Sequence, residues 1–166
     1  VTNAGKADLY LTLTQQGVPA PGEEKASAQG LSLQTRFTAL DGTPIDASSI
    51  KQGTDFIAVV EVANMSGRIL QDLSLQQVFP AGWQLRNTGL AEDTLSAQLS
   101  HQYAGDDRVS SFYSLAASGS SARIVIKVTL NASFVGRYYL PAWQANSMYD
   151  TKTRANNAGS WVELKP

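Results

Sequence analysis

A strict alternation of apolar and polar residues constrains this chain more than any other feature of its sequence. From Ala122 to Leu130 every second residue is apolar, while the positions between them include Arg123 and Lys127. Weaker versions of the same pattern cover residues 9–14, 31–39 and 56–62. Because successive side chains of a β-strand point to opposite faces, this pattern predicts half-buried strands.

Turn signals separate these runs. Asp41-Gly42 is a typical hairpin turn sequence, Pro80-Ala81-Gly82 follows the run at residues 73–79, and a loop of small residues covers 116–121. Strands with turns about every 8–12 residues predict an all-β fold, an antiparallel β-sandwich of fibronectin-like or immunoglobulin-like architecture.

We expect a single domain over residues 1–166, a length that suits one substantial core. Its expected parts are an N-terminal strand at 1–14, a loop or linker at 15–30 and the sandwich body at 31–166. Residues 88–107 depart from the strand pattern. There the Leu95–Leu99 spacing after Glu92-Asp93 predicts a short helix within 90–100.

The composition excludes several classes of function. The net charge is −1, so no positive field attracts nucleic acid or anionic lipid. The chain has no cysteine, which excludes a disulfide, a thiolate nucleophile and a zinc–thiolate site. Charged residues make up only 16%, a low value that is typical of a domain that packs against other domains. The start at Val1 is typical of a processed chain or of a fragment of a longer protein.

Residues that could perform acid–base chemistry do not cluster. His101 is the only histidine, and we expect it to lie exposed in a loop. Asp106-Asp107 precedes Arg108, and we expect a turn cap with an ion pair there in preference to a calcium site. Adjacent carboxylates on a strand point apart, so sequential pairs are poor acid–base sites. We therefore expect no enzyme activity, no cofactor and no metal.

Aromatic residues are the remaining candidates. The tryptophans Trp83, Trp143 and Trp161 could pack in the core, form an interface or serve as a sugar platform. In a strand over residues 135–140, Arg137 and Tyr139 share one face and Tyr138 lies on the other. The face with the arginine is the solvent side, so Tyr139 is predicted to point outward.

Six motifs occur in an order that resembles a known family. They are Gln52-Gly53-Thr54-Asp55-Phe56, Phe79-Pro80-Ala81-Gly82-Trp83, Asp106-Asp107-Arg108-Val109, Gly136-Arg137-Tyr138-Tyr139-Leu140-Pro141, Met148-Tyr149-Asp150 and Trp161-Val162-Glu163. Together they resemble the C-terminal macroglobulin-like domain of bacterial alpha-2-macroglobulins, which corresponds to the receptor-binding domain of the animal proteins. The resemblance runs from Leu9 to Trp161.

The resemblance implies a non-catalytic part of a protease-trapping inhibitor. In that family the C-terminal domain packs on a thioester domain in the resting form and keeps water and amines off the thioester. Its partners would be the thioester domain and other domains of the parent chain, with target proteases met by the full-length protein. The parent would be a periplasmic lipoprotein tethered to the inner membrane by an N-terminal lipidated cysteine outside this chain.

A thioester survives only where it is desolvated, so its cover must be apolar, close-packed and rigid. We expect Tyr139 to lead this shield, with Tyr138 in its place if the strand phase shifts by one, and with Met148 and Tyr149 on an adjacent strand. Arg137, Trp143 and Asp150 are candidate structural or interface residues. The alternative is an independent adhesion or carbohydrate-binding sandwich with the three tryptophans coplanar on one exposed face. The hypothesis of a hydrolase has the least support, because the sequence shows no pair of carboxylates suited to acid–base chemistry and no histidine cluster.

Overall fold

The computed structural model describes residues 20–86 and 98–166, together with residues 2, 5, 7, 8, 10–14 and 17 of the N-terminal segment. These residues contain thirteen strands and one short 3-10 helix at Ser120–Ala122. The strands are β1 Ser27–Gln29, β2 Leu31–Ala39, β3 Ser49–Lys51, β4 Asp55–Asn64, β5 Leu70–Val78, β6 Trp83–Leu85, β7 Leu99–Ala104, β8 Arg108–Leu115, β9 Arg123–Ala132, β10 Gly136–Leu140, β11 Gln144–Ser147, β12 Arg154–Asn156 and β13 Ser160–Lys165.

The described strands form three sheets. A six-stranded sheet has the order β1-β12-β11-β5-β8-β7, a four-stranded sheet has the order β2-β4-β9-β6, and a three-stranded sheet has the order β10-β13-β3. Strand β13 pairs with β3 in parallel, and the other paired strands run antiparallel. The inward side chains of all three sheets meet in one hydrophobic core, so the predicted all-β sandwich is confirmed.

The alternating sequence pattern produces this core directly. In β9 the side chains of Ile124, Ile126 and Val128 are buried, whereas Arg123 and Lys127 are exposed. In the paired strand β4, Phe56 and Val60 are completely buried and face the same core. Burial of one face of each strand fixes the register, because a slip of one residue would bring every apolar side chain to the solvent side.

Four buried aromatic rings and the partly buried Phe37 form one group of contacts in the core. The rings of Phe37 and Trp83 are 5.6 Å apart between centroids, and Phe56 lies 5.0 Å from Trp83. Trp143 extends the group, with centroid distances of 5.8 Å to Phe37 and 5.5 Å to Phe79. These edge-to-face contacts join the two larger sheets through their side chains.

Two local predictions differ from the structure, and a third lies mostly outside the described residues. The described residues 10–14 lie in no strand, and Tyr10 and Leu13 are exposed, so the predicted N-terminal strand is not found there. Within the predicted linker, Ser27–Gln29 forms β1, which pairs with β12. Most of the predicted helix falls on residues 90–97, outside the described residues. Its last positions, from Leu99, begin the edge strand β7, because pairing with β8 keeps them extended.

Candidate functional site

A loop at one end of the sandwich exposes two apolar side chains on a well-defined backbone. It covers residues 148–153, between strands β11 and β12, and is called the β11–β12 loop below. Tyr149 is 83% exposed and Met148 is 53% exposed. Exposed aromatic and methionine side chains of this kind are enriched at protein interfaces.

Backbone hydrogen bonds hold this loop at three points. The Met148 N–H donates to the Asp72 carbonyl at 2.9 Å, and the Ser147 N–H donates to the Thr153 carbonyl at 2.9 Å. The Thr153 N–H closes the turn on the Asp150 carbonyl at 3.0 Å. Asp72 has a φ of 53° at an irregularity in the pairing of β5 with β8, and its bond to Met148 continues the register in which Ser147 of β11 pairs with Leu73 of β5.

The Asp150 side chain ties the loop to itself and to a second loop. Its carboxylate accepts hydrogen bonds from the Thr153 hydroxyl at 2.8 Å and from the Lys152 N–H at 3.0 Å. It also forms an ion pair of 2.9 Å with the Arg68 guanidinium. The Thr153 hydroxyl, the Lys152 N–H and the Arg68 charge hold the pKa of Asp150 below its usual range, so the group stays ionised. Asp150 therefore has a structural role in positioning Tyr149.

The second loop contains residues that the sequence patterns did not single out. The β4–β5 loop, residues 65–69, includes Met65 and Ile69, each 68% exposed. The sequence of this loop predicts a turn. Large apolar residues within a turn are the signal that could have identified an exposed apolar surface here. The Arg68–Asp150 ion pair brings the two loops together.

Tyr139 points outward, as predicted, but it is covered by the N-terminal segment. In β10 it pairs with Trp161 of β13, and the two rings lie 5.3 Å apart. The Tyr139 hydroxyl accepts the Gly22 N–H at 2.8 Å and donates to the Glu24 carboxylate. Burial and the nearby Glu24 carboxylate raise the pKa of Tyr139. A Cβ on Gly159 would overlap the same hydroxyl, so glycine at that position leaves room for the tyrosine.

Arg137 shares this outward face. Its guanidinium lies 4.7 Å from the centre of the Trp161 ring, a cation–π distance. Strand β10 pairs with β13, whereas β11 pairs with β5 and β12. The prediction that Met148 and Tyr149 lie on a strand adjacent to the tyrosine pair is therefore wrong, and the aromatic residues belong to two different surfaces.

Tyr138 and Trp143 have packing roles. Tyr138 lies on the inner side of β10, against Gly82 and the core. Trp143 is completely buried, and its indole N–H donates to the Val78 carbonyl at 3.0 Å. Since Trp83 is also only 3% exposed while Trp161 is 47% exposed, the predicted face with three coplanar exposed tryptophans is wrong.

The remaining polar candidates make contacts with neighbouring residues. His101 lies on strand β7 and stacks on Phe112 with the ring centroids 6.2 Å apart, so its predicted loop position is wrong, although its exposure is confirmed. Asp107 forms the predicted ion pair with Arg108 at 2.9 Å. Among the described residues, no group of three or more His, Asp or Glu side chains is placed to hold a metal ion. In the same part of the chain, no helix has the length and apolar character that crossing a membrane requires.

Comparisons with known proteins give a consistent answer. The family model of the bacterial alpha-2-macroglobulin MG10 domain matches residues 30–151. The alpha-2-macroglobulin of Pasteurella multocida (strain Pm70) is 29% identical over 160 residues, which is 94% of this chain and 8% of that protein. The chain thus spans a small part of the length of this curated relative.

Solved structures agree on the fold. Salmonella alpha-2-macroglobulin reacted with methylamine matches 86% of this chain and 10% of its own, with a TM-score of 0.76 and 21% identity. Native Escherichia coli alpha-2-macroglobulin matches 92% of this chain and 10% of its own, with a TM-score of 0.76 and 19% identity. The family model covers well over half of the sequence, and the chain therefore belongs to the family of bacterial alpha-2-macroglobulin MG10 domains.

Proposed function

We propose that this domain is the non-catalytic C-terminal domain of a bacterial alpha-2-macroglobulin, an inhibitor that traps proteases. In the resting molecule it packs on the thioester domain and shields the thioester from water and small amines. The parent chain is periplasmic and anchored to the inner membrane through a lipidated N-terminal cysteine. Family membership and the small share of the relative's length that the domain covers support its place within a larger protein.

The observation that carries the shielding role is the exposure of Tyr149 and Met148 on a braced loop. An aromatic side chain that is 83% exposed leaves apolar area in water, and that area is removed when a partner surface covers it. The backbone hydrogen bond from the Met148 N–H to the Asp72 carbonyl already holds the loop, and so does the hydrogen bond that the Asp150 carboxylate accepts from Thr153. Docking therefore orders few additional groups, which favours a close-packed cover.

The geometry supports a different order of the shielding residues from the one that the sequence predicts. The Tyr139 hydroxyl is already bonded to Gly22 and Glu24, and its ring rests against Trp161. Tyr149 has an exposed ring on a protruding loop. We therefore assign the leading role to Tyr149 with Met148 beside it, and we assign Tyr139 to holding the segment at residues 20–24 in place.

The test is the rate of thioester inactivation by methylamine in the full-length parent protein. Tyr149→Ala should raise this rate about tenfold, because losing about 1.4 kcal/mol of contact raises the open fraction by that factor. Tyr103→Ala is the matched control, since Tyr103 is an aromatic residue 58% exposed on the edge strand β7. That control should leave the rate unchanged.

Two other results would contradict the proposal. If Tyr149→Ala inactivates at the same rate as the control, the β11–β12 loop is not the shield. If Tyr139→Ala accelerates inactivation while Tyr149→Ala does not, the shield lies on the face of β10 and β13 instead.

A further inference from the structure

We infer that the docking surface for the thioester domain extends beyond the β11–β12 loop onto the β4–β5 loop, with Met65 and Ile69 as contact residues. This inference rests on the proposed function. The four residues Met65, Ile69, Met148 and Tyr149 are called the end surface below. Its occupant is the thioester-bearing domain of the same parent chain.

The first argument is area. A buried aromatic side chain covers about 150–250 Å². Contacts between domains of one chain bury about 600–1,500 Å². Met148 and Tyr149 alone supply too little surface for such a contact, so adjacent residues must take part. Met65 and Ile69, each 68% exposed, are large apolar side chains on the loop that the Arg68–Asp150 ion pair joins to the β11–β12 loop.

The second argument is that the two loops are built as one unit. The Met65 N–H donates to the Gly30 carbonyl at 3.0 Å, and Gly30 forms an isolated β-bridge with Arg154, next to Thr153 at the end of the β11–β12 loop. Thr153 in turn donates to Asp150, which pairs with Arg68. Two separate connections thus join the β4–β5 loop to the β11–β12 loop.

The β4–β5 loop is also ordered from within. The buried Asn64 side-chain amide donates to the carbonyls of Arg68, at 2.6 Å, and Ala116, at 2.8 Å. Its carbonyl oxygen accepts the Ser66 N–H at 2.9 Å. These bonds set the path of the loop before any partner is present, so Met65 and Ile69 are displayed on a fixed backbone.

The third argument concerns charge and the identity of the partner. The one cation of the β4–β5 loop, Arg68, is paired with Asp150, whereas the exposed Lys152 of the β11–β12 loop and Arg154 after it add positive charge beside the apolar side chains. Such a surface fits a partner that is apolar at the contact and carries acidic groups beside it. Because this chain spans 8% of the length of its curated relative, other domains of the same protein are the surfaces available at the highest effective concentration.

The test uses the full-length protein with serine substitutions at the two new positions. Met65→Ser and Ile69→Ser should each raise the methylamine inactivation rate several-fold. Leu40→Ser is the control, because Leu40 is 60% exposed and follows Ala39. Ala39 pairs with Phe56, near the start of β4, whereas the end surface lies beyond Asn64 at its other end.

A second readout does not depend on the thioester reaction. A photo-crosslinking amino acid at position 69 should form crosslinks to the thioester domain, and the same probe at position 40 should not.

The combined results separate the extension from the proposed function. Suppose that Tyr149→Ala accelerates inactivation, that both serine variants behave as Leu40→Ser does, and that position 69 gives no crosslink. The extension is then wrong and the proposed function stands. Crosslinks from position 69 to a different domain would also overturn the inference. If position 69 crosslinks to the thioester domain while Tyr149→Ala has no effect, the contact is supported and the shield assignment fails.

Discussion

Replacing Trp143 with alanine should destabilise the domain more than replacing the exposed Trp161. Trp143 is completely buried between Phe37 and Phe79, and its indole N–H donates to the Val78 carbonyl at 3.0 Å. Trp161 is 47% exposed and contacts Tyr139. The pair of variants therefore compares one type of side chain in a core environment and in a surface environment.

The magnitude follows from the contacts. Truncation of a buried tryptophan to alanine costs about 3–5 kcal/mol through lost burial and the remaining cavity. The Val78 carbonyl loses its indole donor, which adds about 1–3 kcal/mol if no other donor replaces it. A free energy of unfolding of about 5–15 kcal/mol is normal for a domain, so Trp143→Ala should remove a large part of it. Trp161→Ala should cost about 1–2 kcal/mol through its aromatic and cation–π contacts.

Urea unfolding of the isolated domain, followed by far-UV circular dichroism, measures the difference. Trp143→Phe provides an intermediate point, because it keeps a ring between Phe37 and Phe79 but removes the donor to Val78. The expected order of the free energy of unfolding is wild type, then Trp161→Ala, then Trp143→Phe, then Trp143→Ala. Equal losses for the two alanine variants would refute the assignment of Trp143 to the core and would revive its role as a surface platform.

Three further predictions concern single contacts. Tyr113→Phe should leave the free energy of unfolding unchanged or raise it, because among the described residues the buried Tyr113 hydroxyl has no hydrogen-bond partner. Urea unfolding measures this free energy. A large decrease would show that the hydroxyl does have a partner. Gly159→Ala should lower the free energy of unfolding by about 1–3 kcal/mol, since its Cβ would overlap the Tyr139 hydroxyl; equal stability would show that the ring moves aside freely. After correction for the intrinsic slowing of amide exchange in acid, residues 20–24 should show lower protection factors at low pH, because the hydrogen bond from the Tyr139 hydroxyl lowers the pKa of Glu24 and weakens when that carboxylate is protonated. That contact is complete above the usual glutamate range and weakens as the pH falls through the lowered pKa. Glu24→Gln should remove this pH dependence, and Glu23→Gln is the control.

The sequence predicted those parts of the fold that depend on local alternation. Ile124, Ile126 and Val128 are buried because their spacing in β9 places them on one face, and neighbours along the chain are enough to reveal that. The same rule placed Arg137 and Tyr139 together on the outer face of β10. Local patterns failed at β7, where polar residues form a strand because β8 offers an unpaired edge.

The surface assignments depended on contacts between distant parts of the chain. Tyr139 is covered by Gly22 and Glu24, more than a hundred residues away, and no period within residues 135–140 could indicate that cover. The Arg68–Asp150 ion pair spans 82 positions and joins two loops that look like independent turns in the sequence. Exposure of an aromatic residue is therefore a property of the assembled sheets, and the strand phase alone does not determine it.

The bracing of the β11–β12 loop argues that the exposure of Tyr149 is maintained by the structure. A loop free to rearrange could fold an exposed tyrosine back onto the sandwich and remove its apolar area from water. Here the Met148 N–H is held by the Asp72 carbonyl and the turn is closed on Asp150, so that relaxation would break several hydrogen bonds. Each net bond contributes about 0.5–1.5 kcal/mol, and burial of one tyrosine ring on the domain itself would have to exceed their sum. The balance keeps the ring available to a partner, as the proposed shield requires.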